Sequence, residues 1–336
     1  MGLLSSLEAG AAVGLAELPR QASSGPVTVF YPTAAAPSAL QRGAFTLSVA
    51  PDAPPTPGRH RLVVISHGSG ASPWVHADLA RALVEAGFIV ALPEHFGDNH
   101  QDGTEPGPPS WKRRPQEVTR AIDRLQADAR FGPVLAADRI GMFGMSAGGH
   151  TALTLAGGRW SPGRLLQHCN QHLEQDFHTC AGPTTALDGG LFDGLKVSVV
   201  RAFNQRKFDD PTWDQQVDAR ITAIGAGVPF AVDFDPESLK APRAALALIT
   251  ARQDKWLAPR FHSDAVLRAC PPCEHLLDLP EGGHGALLSP LPPAPPRAMK
   301  GLIGDPPGFD RARAVPQIHA RVVGFFQRQL GPALVP

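Results

Sequence analysis

A chain of 336 residues with 43% hydrophobic and 18% charged side chains has room for a large buried core and is too apolar for extensive disorder. Its 31 basic and 31 acidic residues cancel, and no block of Lys or Arg interrupts the sequence. The electrostatic footprint of a phosphate-backbone binder is therefore missing, and nucleic acid is not an expected partner.

An α/β unit often runs past 200 residues, so one domain with additions is the expectation. The 35 prolines cluster at residues 51–57, 106–109 and 290–307, which read as rigid loops rather than low-complexity repeats. Residues 1–15 lack a basic leader, and Glu8 breaks their only apolar run, so they read neither as a signal peptide nor as a membrane span. Residues 1–26 are read as an N-terminal extension. The expectation is a soluble chain without stable membrane insertion, cytoplasmic as it stands and periplasmic or secreted if a leader has been removed.

Residues 27–31 and 44–49 read as short strands forming an antiparallel edge. Residues 62–66 (LVVIS) are a continuous apolar, β-branched run, as expected of a strand buried on both faces of a parallel sheet. A helix over 78–86, a strand over 88–92 and a second helix opening near Pro115 follow, the latter with Val118, Ile122 and Leu125 at helical spacing. Strands at 139–143, 219–226, 244–250 and 275–279 alternate with helices at 147–156, about 261–269 and 315–330. Such alternation predicts an α/β fold with a mostly parallel sheet covered on both faces. The core is assigned to residues 27–156 and 218–331. Residues 157–217 break the rhythm and read as an inserted lid or pocket wall, since a structureless loop of that length is improbable in a compact domain.

Gly144-Met145-Ser146-Ala147-Gly148 lies between the strand at 139–143 and the helix beginning at Ala147. A G-x-S-x-G match alone is weak evidence, but a nucleophile elbow needs this strand-to-helix turn, which lifts the serine hydroxyl above the strand end. A serine is a poor nucleophile without a positioned base, and the base needs an acid to hold its tautomer. Asp254 follows the strand at 244–250, and His284 follows the strand at 275–279 within Gly282-Gly283-His284-Gly285, the order Ser, acid, His found in α/β hydrolases. His67-Gly68-Ser69-Gly70, directly after the strand at 62–66, offers the Ser69 N–H as one oxyanion donor, with the Ala147 N–H as the second. Gly68, Gly70, His95 and Trp256 are candidate substrate contacts.

Other readings stand beside these. Ser146 also suits a helix N-cap, Asp254 a turn cap, and Asp233 and Asp235 are rival acids in a loop after a strand. His95, His100 and Asp102 match no metal-ligand spacing and read as a polar pocket rim. Cys169 and Cys180, with His172 and His178 between them, allow a disulfide, free thiols or zinc, and Cys270 and Cys273 read as structural. Disulfides imply an oxidising compartment and free thiols the cytosol. No metal and no cofactor are expected.

Residues 63–70 (VVISHGSG), the elbow 143–149 (FGMSAGG), the Asp254 loop, the Gly282–Gly285 histidine and Tyr31-Pro32 together resemble dienelactone-hydrolase-like and platelet-activating-factor-acetylhydrolase-like esterases of the α/β-hydrolase superfamily. The resemblance runs from about residue 27 to 330 and is weakest across 157–217. Dienelactone hydrolases carry a cysteine nucleophile where this chain has Ser146, a departure that favours ordinary carboxylic esters. The resemblance implies a small-molecule or lipid-like ester of short to medium acyl length. The same triad also serves serine peptidases, amidases and acyltransferases, and a silent hydrolase fold can serve as a binding module.

Overall fold

The computed structural model describes residues 12–22, 24–182, 185–295 and 297–331. Most of the residues 1–15 segment, with Glu8, lies outside these. Ten strands among the described residues form one sheet: β1 (Ala12–Leu18), β2 (Val27–Thr33), β3 (Ser38–Arg42), β4 (Phe45–Pro51), β5 (His60–Ser66), β6 (Ile89–Pro93), β7 (Leu135–Met145), β8 (Ile221–Gly227), β9 (Ala245–Ala251) and β10 (Glu274–Leu279). Their spatial order is β10-β9-β8-β7-β5-β6-β2-β1-β4-β3. The six strands from β6 to β10 in that order are parallel, and β2 joins them antiparallel to β6.

The edge is more elaborate than the sequence reading of it. Strand β1, inside the stretch read as an extension, pairs antiparallel with β2 and parallel with β4, so β2 and β4 are not neighbours. Strand β3, polar and largely exposed, closes the edge by a hairpin with β4.

The helices are α1 (Ala77–Glu85), α2 (Pro108–Ala127), α3 (Ala147–Leu155), α4 (Pro162–His172), α5 (Phe177–Ala181), α6 (Asp193–Lys207), α7 (Ser263–Ala269), α8 (Arg297–Ile303) and α9 (Arg311–Leu330). Because β5 is buried along its whole length, its side chains alternate between two cores. Leu62 and Val64 join Val118, Ile122 and Leu125 of α2 on one face, and Val63 and Ile65 join Leu79, Leu83, Val322 and Phe326 of α1 and α9 on the other. Helix α2 begins at Pro108 and not near Pro115: Pro108 needs no N–H at a first helical position, while Pro115 lies inside.

Residues 157–217 carry α4, α5 and α6. The Cys169–Cys180 disulfide ties α4 to α5, and Cys270 pairs with Cys273 after α7. Helix α6 packs on α4 and α5 through Val200 and Asn204, leaving Phe192, Leu195, Val199 and Phe203 exposed.

Where α1 meets α9, His76 and His319 are buried, and burial together with their mutual repulsion lowers His76 to about 4, while burial lowers His319 to about 4. The ordinary histidine value is near 6.5, so between pH 6.5 and 4 the unfolded chain binds more protons than the folded one. The stability from keeping these rings neutral is fully present above pH 6.5 and is lost as the pH falls through 4, about 3 kcal/mol for His76 alone. Urea unfolding at pH 7, 5.5 and 4.5 is expected to show this decline in the wild type and a shallower one in His76→Leu. Equal slopes in the two proteins would remove His76 as its source.

Candidate active site

Strand β7 ends at Met145 and α3 starts at Ala147, so Ser146 occupies the whole turn between them, with φ 58° and ψ −117°. Left-handed φ is costly for a side-chain-bearing residue and persists only where the surroundings over-determine it. Here they do. The Ser146 N–H donates to the Gly227 carbonyl at 3.1 Å, and the Ser146 carbonyl accepts from His150 N–H at 3.0 Å and Phe230 N–H at 3.2 Å. The flanking glycines are required by close approach: a Cβ on Gly144 would sit 1.9 Å from the Gly148 oxygen, and one on Gly148 would sit 1.9 Å from the Ser66 oxygen.

The loops after β9 and β10 are tied together, Arg252 N–H donating to the Leu279 carbonyl and Gln253 N–H to the Gly282 carbonyl. This brings Asp254 and His284 side by side, with His284 Nδ1 donating to Asp254 Oδ2 at 2.8 Å. Since a carboxylate only accepts, the proton is on Nδ1, and Nε2 is free to accept from the Ser146 hydroxyl at 3.1 Å. The other carboxylate oxygen accepts the N–H groups of Trp256 at 2.8 Å and Leu257 at 2.9 Å, so Asp254 caps its turn as well as orienting the imidazole. Behind His284, Arg311 at the start of α9 donates to the carbonyls of Gly285 at 3.0 Å and Leu288 at 2.5 Å.

The rival acids are engaged elsewhere. Asp233 pairs with the buried His150 at 3.0 Å, and Asp235 caps its own turn and pairs with Arg159. His262 accepts the Ala231 N–H, and His275 bonds Thr250. Cys169 and Cys180 are consumed by their disulfide, which removes them as ligands for the zinc reading.

The loop His67–Gly70 rests on a buried polar cluster that local sequence patterns do not signal. Asp98 Oδ1 accepts the Ser69 hydroxyl at 2.5 Å and the Gly70 N–H at 3.0 Å, while Oδ2 accepts from Arg114 Nη2 at 2.9 Å. Arg114, fully buried on α2, also donates to the His67 carbonyl at 2.5 Å. Burial acts to raise the Asp98 pKa, but Arg114 and the hydroxyls of Ser69 and Ser110 outweigh it, so the group is held below the usual carboxylate range. His67 Nδ1 donates to the Gly68 carbonyl and its Nε2 accepts the His95 N–H, which leaves no free site on the ring. His95 in turn bonds the Ser66 hydroxyl at 2.7 Å and Glu117 at 2.6 Å. Burial drives both histidine pKa values well down, with mutual repulsion adding to it at His67 and Arg114 at His95.

A cavity of about 260 Å³ opens at Ser146 and His284, walled by Met145, Phe230, Leu257, Leu288 and Ile303. Of the sequence candidates, Gly68, Ser69 and Trp256 line it, and Ala147, as the first residue of α3, has an N–H that no helical carbonyl takes. Gly70 lies outside this wall and His95 is fully buried beneath the loop, because its ring satisfies Ser66 and Glu117; the rim reading of His95 is thereby corrected. The segment 157–217 contributes His178 and Thr179 of α5 to the wall, with the His178 ring 4.2 Å from that of Trp256.

No known family profile and no curated protein matches the chain at the sequence level. Among solved structures it is similar to a ferulic acid esterase from Streptomyces cinnamoneus, with a TM-score of 0.59 over 95% of this chain and 90% of that one, at 19% identity. The ten-stranded, mostly parallel sheet and this likeness define an α/β-hydrolase-type fold.

Asp98→Asn puts an amide donor against the Arg114 donor and is expected to slow fluorophosphonate labelling of Ser146 roughly tenfold or more, a modest fraction of what an oxyanion donor supplies. Arg114→Met strands the Asp98 charge in the interior and is expected to cost about 3–5 kcal/mol in urea unfolding. Labelling of Asp98→Asn at the wild-type rate would show that the loop does not depend on this pair.

Proposed function

We propose that the protein is a cofactor-free serine esterase that cleaves carboxylic esters of short to medium acyl length through an acyl-enzyme on Ser146. The observation that carries this is the unbroken hydrogen-bonded chain from Ser146 Oγ through His284 to Asp254 at the floor of a largely apolar cavity. His284 Nε2 takes the hydroxyl proton as Ser146 attacks the ester carbonyl, and Asp254 stabilises the imidazolium that results. The N–H groups of Ser69 and Ala147 receive the oxyanion, each such donor being worth about 3–4 kcal/mol in the transition state. His284 then returns the proton to the departing alcohol, and water repeats the attack on the acyl-enzyme.

The esterase named among the solved structures supports an ester substrate, as does the resemblance of residues 63–70 and 143–149 to dienelactone-hydrolase-like and acetylhydrolase-like enzymes. In this reading residues 27–156 and 218–331 are the catalytic core and residues 157–217 a lid-like wall, a role supported by His178 and Thr179. The exposed apolar stripe of α6 brings lipid-like esters within the reading. No helix among the described residues is long and apolar enough to cross a membrane. The two disulfides support an oxidising compartment.

The test is turnover of p-nitrophenyl esters from acetate to palmitate by the wild type and Ser146→Ala. The substitution is expected to lower kcat by roughly a thousandfold or more. Equal rates would remove Ser146 as the nucleophile. Turnover of amides but no ester would favour the peptidase or amidase reading, and no turnover at all a binding module.

A further inference from the structure

One cavity holds Ser146, and two others adjoin it through shared wall residues, so that together they offer separate places for the two halves of an ester. The first, described above, holds Ser146 and His284. A second, of about 200 Å³, lies beside His284 and is of mixed character, with Gln253, Lys255, Lys300 and Asp305 on its walls beside Trp256 and Leu302. A third, of about 270 Å³, lies between the β3–β4 hairpin, the loop Ser69–Ser72 and residues 292–303. It is almost wholly apolar, built from Phe45, Trp74, Val75 and Met299, and Arg42 stacks over the Trp74 ring at 5.9 Å. This apolar cleft shares Ser69, Ala71, Leu288, Leu302 and Ile303 with the catalytic cavity but does not reach His284.

That arrangement orients the substrate. The alcohol must leave with a proton from His284, so it lies on the His284 side, where the groove bearing Lys255, Lys300 and Asp305 is. With the alcohol on the His284 side and the oxygen on the Ser69 N–H, the acyl substituent takes the remaining position, and the apolar cleft adjoining the cavity at Ser69, Ala71 and Leu288 is the space that does not border His284. We infer that the apolar cleft walled by Phe45, Trp74 and Met299 is the acyl subsite, and that it takes an unbranched hydrocarbon arm of medium length, such as hexanoyl or octanoyl. Each of the two adjoining cavities alone falls below the usual size of ligand sites, roughly 300–1,000 Å³, and together they fall inside that range. This inference rests on the esterase reading of Ser146.

Burying successive methylenes in such a cleft raises kcat/KM about threefold to fourfold per carbon. The wild type is therefore expected to prefer p-nitrophenyl octanoate to the acetate by roughly a hundredfold or more. Ala44→Trp and Ala294→Trp fill the cleft from its two opposite walls, the hairpin and the Pro-rich segment. Either is expected to lower the octanoate-to-acetate ratio of kcat/KM at least roughly tenfold, about the discrimination a few methylenes give. Circular dichroism identifies the variant that retains the native fold, and two independent walls guard against the loss of one. An unchanged ratio in a folded variant, or a wild type that does not favour octanoate, would overturn the acyl subsite while leaving the esterase reading standing. No turnover of either ester, or turnover indifferent to Ser146→Ala, would overturn both.

Discussion

The structure depends on a steric constraint at the C-terminal ends of β5 and β7. There the start of α3 passes so close to both strands that neither Gly144 nor Gly148 has room for a Cβ, the oxygens of Gly148 and Ser66 occupying those positions. Glycines at both positions let the chain close the left-handed turn at Ser146, whose N–H and carbonyl are held by Gly227, His150 and Phe230. Everything else approaches that point: the loops after β9 and β10 bring Asp254 and His284, and β8 supplies the carbonyl that takes the Ser146 N–H. The turn is strained locally and is held by the packing of a whole parallel sheet.

A second layer of order lies underneath. The loop after β5 has few apolar contacts of its own, and its shape comes from the buried Asp98–Arg114 pair and from His67 and His95. Such a cluster is stable only when every polar atom finds a partner, and these four residues largely supply one another. Burial also keeps the two rings neutral, leaving the Asp98–Arg114 pair as the cluster's ion pair, and it raises the pKa of Glu117 against the opposing Phe96 N–H and Arg114.

Much of this was legible in the sequence, and the limits have physical causes. The inner parallel strands announce themselves because burial on both faces demands continuous apolar runs such as LVVIS, and Ser146 and Asp254 follow because each sits just past such a run, while His284 is marked by the glycines around it after the half-exposed edge strand β10. Strands β1 and β3 were illegible: AVGLAEL and SALQR carry few β-branched residues and no clean alternation. The start of α2 was misplaced because Pro115 looks like a helix opener, and only the tertiary context shows that Pro108 plays that part. Arg114 carries no local mark, since its meaning comes from Asp98, which the fold brings to it from a different loop. His95 misled for the converse reason: it lies in a run of polar residues that reads as surface, yet its ring points inward to Ser66 and Glu117.

The Cys169–Cys180 bridge gives the cavity wall a different kind of foundation from the rest. Helix α5, which carries His178 and Thr179, is only five residues long and would have little reason to form alone. A covalent link to α4 supplies what its length does not, whereas the loops carrying Asp254 and His284 are held by sheet packing and hydrogen bonds. The wall and the turn at Ser146 thus rest on different supports, one covalent and one steric, and they meet where the Thr179 hydroxyl donates to the Trp256 carbonyl at 3.1 Å in the Asp254 loop.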